Sequence, residues 1–209
     1  MEQSMVDVCN AALLRGEVAE GPVFSHENHG RTFDRFTLEV RRLSGVRDRV
    51  HVIAEHGLLE EMALEKGQTV EVEGQIRSYN NRSGQGRRLV ITVFATRVTC
   101  QDGEPENRVF LRGRICREPV YRRTPLGREI CDLMLAVDRT YGRTDYLPCI
   151  LWGSLARMAA QCARGTELWI LGRLQSRTYV KQLETGSEER TAFEISAITA
   201  DLERYTNPC

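Results

Sequence analysis

Four large aromatic side chains, Tyr141, Tyr146, Trp152 and Tyr179, stand among arginines in the run from Asn107 to Tyr179. Flat rings stack on other planar π systems, and a guanidinium forks onto phosphate oxygens or lies against a ring. Together they suit a surface that holds unpaired bases and their phosphates. The cations placed to serve it are Arg112, Arg122, Arg123, Arg139, Arg143, Arg173 and Arg177, with Lys181. Phosphate neutralisation would make binding fall with salt. Arg177 and Tyr179 share strand parity and should project together. Each ring taken singly fits core or interface packing, where most Tyr and Trp go, so the weight rests on the set.

The chain is neutral overall, with 29 Lys+Arg and 29 Asp+Glu in 209 residues, which argues against a polyanionic partner until the halves are separated. Residues 1–106 carry 13 Lys+Arg against 17 Asp+Glu, and residues 107–209 carry 16 against 12. The second half is therefore the one suited to a polyanion. Its cations are nearly all arginine, since Lys66 and Lys181 are the sole lysines. A composition of 41% hydrophobic and 28% charged residues fits a packed globular protein, and the length gives room for one large or two ordinary domains.

Seven cysteines (Cys9, Cys100, Cys116, Cys131, Cys149, Cys162 and Cys209) show no CxxC pairing and several lie in apolar runs. They read as reduced, mostly buried thiols of a cytosolic protein. No secretory segment opens the chain and no apolar run approaches the ~20 residues that cross a bilayer, so a cytoplasmic protein without a membrane partner is expected. His26 with His29, and His51 with His56, read as loop histidines, because no cysteine or carboxylate completes a tetrahedral set with them. Ser83-Gly-Gln-Gly-Arg87 lacks the strand and the Lys-Ser/Thr of a phosphate-cradling loop, and no Gly-x-Ser-x-Gly or HExxH occurs. No cofactor, metal or catalytic residue is therefore expected, and the chain reads as non-enzymatic.

The elements that must position the rings emerge from an internal repeat. Asn10-Ala-Ala-Leu-Leu-Arg-Gly16 lies 97 residues before Asn107-Arg-Val-Phe-Leu-Arg-Gly113, and Pro22-Val-Phe24 before Pro119-Val-Tyr121. Phe36–Val40 falls on Leu133–Val137 and Gly45 on Gly142 at the same offset; one residue of slippage later, Gly67–Ser78 falls on Gly165–Ser176. The chain is a tandem duplication, read as an N-terminal domain over 1–102, a linker over 103–106 and a C-terminal domain over 107–209. Alternating apolar residues, such as Val109, Leu111 and Ile115 or Leu133, Leu135 and Val137, predict strands with one face in a core. A helix-like piece follows the third strand, Gly57 to Glu65 in one copy and Leu155 to Ala163 in the other. Then come a strand with a central glycine, Gly74 or Gly172, a polar hairpin loop and a last strand. Three strands, one short helix and two strands is the order of a five-stranded Greek-key barrel, and the fold class is all-β with two such barrels. The mid-strand glycines suit sharp coiling where a small barrel closes.

The second copy holds Asn107-x-Val-x-Leu-x-Gly-Arg114, Glu118-Pro-Val-Tyr-Arg-x-Thr124, Leu135-Ala-Val-Asp-Arg139, Asp145-Tyr-x-Pro148, Trp152-Gly153 and Gly172-Arg-Leu-Gln-Ser-Arg177 over about 107–200. As a set these motifs resemble the bacterial single-stranded DNA-binding protein family. The resemblance implies that each repeat is an OB fold, that bases stack at Tyr141, Tyr146, Trp152 and Tyr179, and that Trp169 sits where the family often carries another ring. It also implies single-stranded DNA as partner, work in replication, recombination or repair on the bacterial nucleoid, and four barrels per assembly, which two tandem chains would supply as a homodimer. The first copy departs from the pattern: the matching positions hold Ser44, Arg49 and Glu55, with Tyr79 near the fourth, so most of its stacking platform is expected to be missing. Its loop Tyr79–Arg88 is basic, whereas the second copy's loop Glu184–Glu189 is acidic. The chain ends Arg204-Tyr-Thr-Asn-Pro-Cys209 without the family's acidic tail, so recruitment of replication or repair proteins through such a tail is not expected. A protein-interaction adaptor of the replication-restart type, with weak DNA binding, is the alternative reading.

Overall fold

A computed structural model describes residues 9–60, 62–81, 89–139, 142–183 and 186–202. The chain divides into two compact units, each treated by itself: one built on Ala11–Arg108 with Leu174–Phe193, the other on Val109–Arg173 with the strand segment that begins at Glu194. The units do not follow the repeat boundary, because 174–193 clusters with the first copy.

In the first unit β1 (Asn10–Asn28), β2 (Arg31–Arg41), β3 (Arg47–Glu55), β4 (Thr69–Asn80) and β5 (Leu89–Cys100) close on themselves. β1 pairs antiparallel with both β2 and β4, β2 with β3 and β4 with β5, and a short parallel pairing of β3 with β5 completes the ring. β6 (Glu106–Ile115), β8 (Glu129–Asp138), β9 (Thr144–Trp152), β10 (Glu167–Leu183) and β11 (Gly186–Leu202) repeat the pattern, with β6 against β8 and β10, and β9 parallel to β11. Among the described residues β7 (Val120–Arg123) pairs only with β8, as an antiparallel hairpin. Both copies thus form the five-stranded barrel that their strand order predicts, with the OB connectivity 1-2-3-5-4-1.

Period-two burial explains the strands. Leu14, Phe36, Leu38, Val52, Val72, Ile76 and Val93 fill one interior, and Leu111, Ile115, Leu135, Val137, Leu147, Leu151, Leu168 and Ile170 the other, all essentially inaccessible to solvent. Val109 and Leu133, expected in the core, are there too. Two glycines per barrel stand where strands cross so closely that a side chain has no room. A Cβ on Gly16 or Gly113 would strike the carbonyl of Glu39 or Ala136, and one on Gly74 or Gly172 that of Phe94 or Ser196. That is the close backbone approach a strand glycine marks.

The helical pieces are shorter than the sequence predicts. Ser154–Ala159 forms α1 and buries Ala156 and Ala159, whereas the first copy has a single 3-10 turn, His56–Leu58. Leu-Ala-Arg-Met-Ala are good helix formers, and Gly57 at the matching place is not. Burial of the thiols is also less general than expected: Cys131, Cys149 and Cys162 are buried, Cys9 and Cys116 half-buried and Cys100 exposed. Burial pushes the three buried thiols up from their ordinary range, so they stay protonated and inert. His26 and His51, read as loop residues, lie on β1 and β3.

One ion pair recurs at the repeat offset. Arg139 grips Asp145 with two hydrogen bonds, Nε to Oδ2 at 2.6 Å, and Arg42 grips Asp48 likewise at 2.6 and 2.5 Å. Asp48 and Asp145 are fully buried, and Oδ1 of Asp48 also accepts the backbone N–H and hydroxyl of Ser176, each at 2.7 Å. A buried carboxylate is tolerated when it is so fully bonded. The repeated asparagine also bonds across strands. The Asn107 amide donates to the Leu174 carbonyl at 2.8 Å and accepts its N–H at 2.9 Å, extending the ladder by a side chain.

Candidate nucleic-acid interface

β9 carries two of the predicted rings. Strand alternation puts Tyr146 and Trp152 on one face of β9, 50% and 37% exposed, although Ile150 between them is buried. Pro148 and Ile150 lie between them, and their partners on β8 are Ala136 opposite Tyr146 and Ile130 opposite Trp152. The Trp152 indole donates its N–H to the Ser196 hydroxyl at 3.2 Å, which fixes the ring's edge and leaves area for a second ring to stack.

Beside Trp152 an open cleft of about 510 Å³ is lined by Arg123, Gly127, Arg128, Glu129, Trp152 and Gly153. Its wall is the tight β7–β8 turn. The Thr124 carbonyl accepts the Gly127 N–H at 2.8 Å, the Arg128 carbonyl accepts the Thr124 N–H at 2.9 Å, and Gly127 takes φ +76°, which suits glycine. Glu129 orders the floor: it accepts the Tyr121 hydroxyl at 2.6 Å, pairs with Arg123 at 3.5 Å and bonds Arg157. The Tyr121 hydrogen bond, helped by Arg157 and Arg123, holds its carboxyl below the usual range, so it stays charged and keeps those cations in place. Exposed arginines beside an exposed indole can seat a phosphate next to a stacked base.

The remaining predicted residues divide. Arg177 lies with its guanidinium 6.0 Å over the Tyr179 ring on β10, so the parity argument for that pair holds. Arg143 is exposed and Arg173 half-buried. Arg122 pairs with Asp132 at 2.7 Å, and Arg139 is committed to buried Asp145. Arg112 and Trp169 lie away from β9, on β6 and β10, in a packed cluster: the guanidinium is 5.1 Å over the indole, bonds Glu167 at 2.7 Å, and the indole meets Phe110 edge-on at 5.3 Å. Tyr141 and the side chain of Lys181 lie outside the described residues, as do 82–88 of the first copy's basic loop and 184–185 of the second copy's acidic one.

Sequence reasoning missed Arg128 and the anchoring role of Glu129. The signal for Arg128 was Thr124-Pro-Leu-Gly127, a turn signature that places the next residue at a hairpin mouth.

In the first barrel the positions that match Tyr146 and Trp152 are salt bridges instead of rings, Arg49 with Glu20 at 2.6 Å and Glu55 with Arg31 at 3.4 Å. Ser44 is exposed in the bend before β3, and Tyr79 is 55% exposed.

Known proteins share both this sequence pattern and this architecture. The model of the single-strand binding protein family matches residues 106–202. Single-stranded DNA-binding protein B of Bacillus subtilis (strain 168) is 30% identical over 109 residues, which cover 49% of this chain and 91% of that protein. A single-stranded DNA-binding protein of Thermus thermophilus is 31% identical over 164 residues, 68% of this chain, though the match spans 60% of the relative's length. Among solved structures, a deletion mutant of the single-stranded DNA binding protein from Thermus aquaticus superposes with a TM-score of 0.77 and 25% identity, covering 95% of this chain and 96% of that one. The second repeat carries the matched family region and the full-length likeness takes in both barrels, so the chain belongs to the single-strand binding protein family.

Proposed function

We propose that the protein binds single-stranded DNA with little regard to sequence and without catalysing a reaction, in replication, recombination or repair on the bacterial nucleoid. Its repeats 1–102 and 107–209, joined by 103–106, act as two OB domains, and two chains associate into a homodimer with four. The observation that carries the reading is Tyr146 and Trp152 exposed on one face of β9, with an arginine-lined cleft at the indole. Every base has a π face, so such rings bind strands of any sequence. Tyr141 and Tyr179 extend the stacking set. Arg123, Arg128, Arg143, Arg173, Arg177 and Lys181 neutralise phosphates. Arg112, Arg122 and Arg139 serve first as structural ion-pair partners, and Trp169 as packing beneath Arg112.

Both β9 rings are exposed, so Tyr146→Ala with Trp152→Ala should leave the barrel folded. Stacking contributes ~1–3 kcal/mol per base, and the double variant should weaken oligo-dT binding by about 2–6 kcal/mol in a fluorescence-anisotropy titration. An unchanged dissociation constant with an intact circular-dichroism melt would refute the assignment.

A further inference from the structure

At the family positions the first barrel carries Ser44, Arg49 and Glu55 in place of rings, the last two in ion pairs. Yet its outer wall holds rings one strand to either side of the vacated place. Glu55 stands where the second barrel has Trp152, and its antiparallel neighbour on β2 is Phe33. Across β3, Ile53 pairs with Phe94 of β5 in the same parallel register that sets Ile150 against Ser196. In the second barrel the ring is central and its flanking residues are Ile130 and Ser196; in the first the centre is a carboxylate and both flanks are phenylalanines.

These rings form a connected stack. His26 lies on Phe33 with centroids 4.9 Å apart and planes within 11°, the parallel arrangement a base would take. Phe33 meets Phe94 at 5.8 Å, and the Arg77 guanidinium sits 6.0 Å over the Phe94 ring. Phe33 is 7% exposed beneath the imidazole, whereas His26 is exposed and Phe94 half-buried, so the outer surfaces of the stack face solvent. Arg31 and Arg35 are exposed on β2 close by. Flat rings ending in solvent, bordered by guanidinium groups, match a nucleobase with its phosphate better than an apolar peptide.

We propose that the His26–Phe33–Phe94 stack with Arg77 is a relocated base-stacking site through which the first barrel takes up unpaired nucleotides. The proposal rests on the DNA-binding reading of the protein and adds a second contact surface to it. The test uses the full chain with His26→Ala and Phe94→Leu, the leucine keeping apolar volume while removing the π face, and an unshifted melting temperature as the folding control. One OB fold takes ~4–16 nucleotides, so a dT oligonucleotide of about ten tests one barrel and one above about thirty offers contacts to both. The expected result is a dissociation constant raised ~tenfold for the long strand and unchanged for the short one, which the second barrel holds. If the long-strand affinity is unchanged while Trp152→Ala still weakens binding, the relocated site is refuted and the DNA-binding reading stands. If neither variant has an effect, the DNA-binding reading fails and this inference with it.

Discussion

Two barrels built on one repeat keep the same interior and differ on the outside. Both use a glycine pair where strands cross, a buried Asp gripped by an Arg six residues earlier, and a leading Asn. The Asp side chains are buried and the glycines lie against neighbouring backbone. Outside, the second barrel presents Tyr146 and Trp152 on its third strand, and the first presents Arg49 and Glu55 in ion pairs, with its rings moved to the neighbouring strands. Barrel closure constrains backbone approach and buried charge, so those residues are shared between copies. The outer wall constrains neither, and it is there that the copies diverge.

The shared scaffold can be broken first, with the largest effects. Gly74→Ala and Gly172→Ala each drive a methyl group into a backbone carbonyl. Each should cost about 3 kcal/mol or more in denaturant unfolding, similarly in the two barrels. Asp48→Ala and Asp145→Ala each take the buried carboxylate partner from a largely buried guanidinium, and each should cost ~3–5 kcal/mol. A tolerated substitution in one barrel alone would show that the copies do not close in the same way.

A medium-sized effect separates contacting arginines from structural ones. Arg123→Gln and Arg128→Gln should each lower the slope of log K against log salt by ~0.7, the contribution of one phosphate contact to a single strand. Arg112→Gln should leave the slope unchanged and lower the melting temperature, because its partners are Glu167 and Trp169.

The smallest effect belongs to two histidines of the first barrel. A hydrogen bond at 2.6 Å to Asp34, and that carboxylate's charge, raise His56 above its ordinary 6.5. Its stabilisation is therefore complete below about pH 6.5 and is lost as pH rises through the elevated value. His51 is shifted down, first by burial and then by the charge of Arg35, so it favours the folded state above about pH 6.5 and opposes it as pH falls. Melting curves at pH 5.5 and 8 should show His56→Gln losing stability on the acid side only and His51→Gln gaining it there. Identical pH profiles for both variants would contradict the opposed assignments.

The repeat, strand order and core were legible in the sequence because they rest on period-two apolar alternation and on glycines, which are local signals. The pairing of Arg177 with Tyr179 was legible for the same reason. Trp169 is placed at the interface by the family resemblance and Arg112 by its place among the rings, whereas their mutual stacking depends on β6 lying beside β10, a pairing of strands far apart in sequence. Arg139 looked like a phosphate ligand until the burial of Asp145 supplied a stronger partner. The ring stack of the first barrel joins residues from β1, β2 and β5, and no spacing rule connects positions 26, 33 and 94.

The central claim is that Trp152 stacks on unpaired bases while Trp169 does not. In a Trp169→Phe variant, whose one remaining tryptophan is Trp152, titration with poly-dT should quench the indole emission strongly at low salt, and raising the salt should reverse the quenching. Emission that stays constant through a titration in which the strand is in excess would contradict the claim.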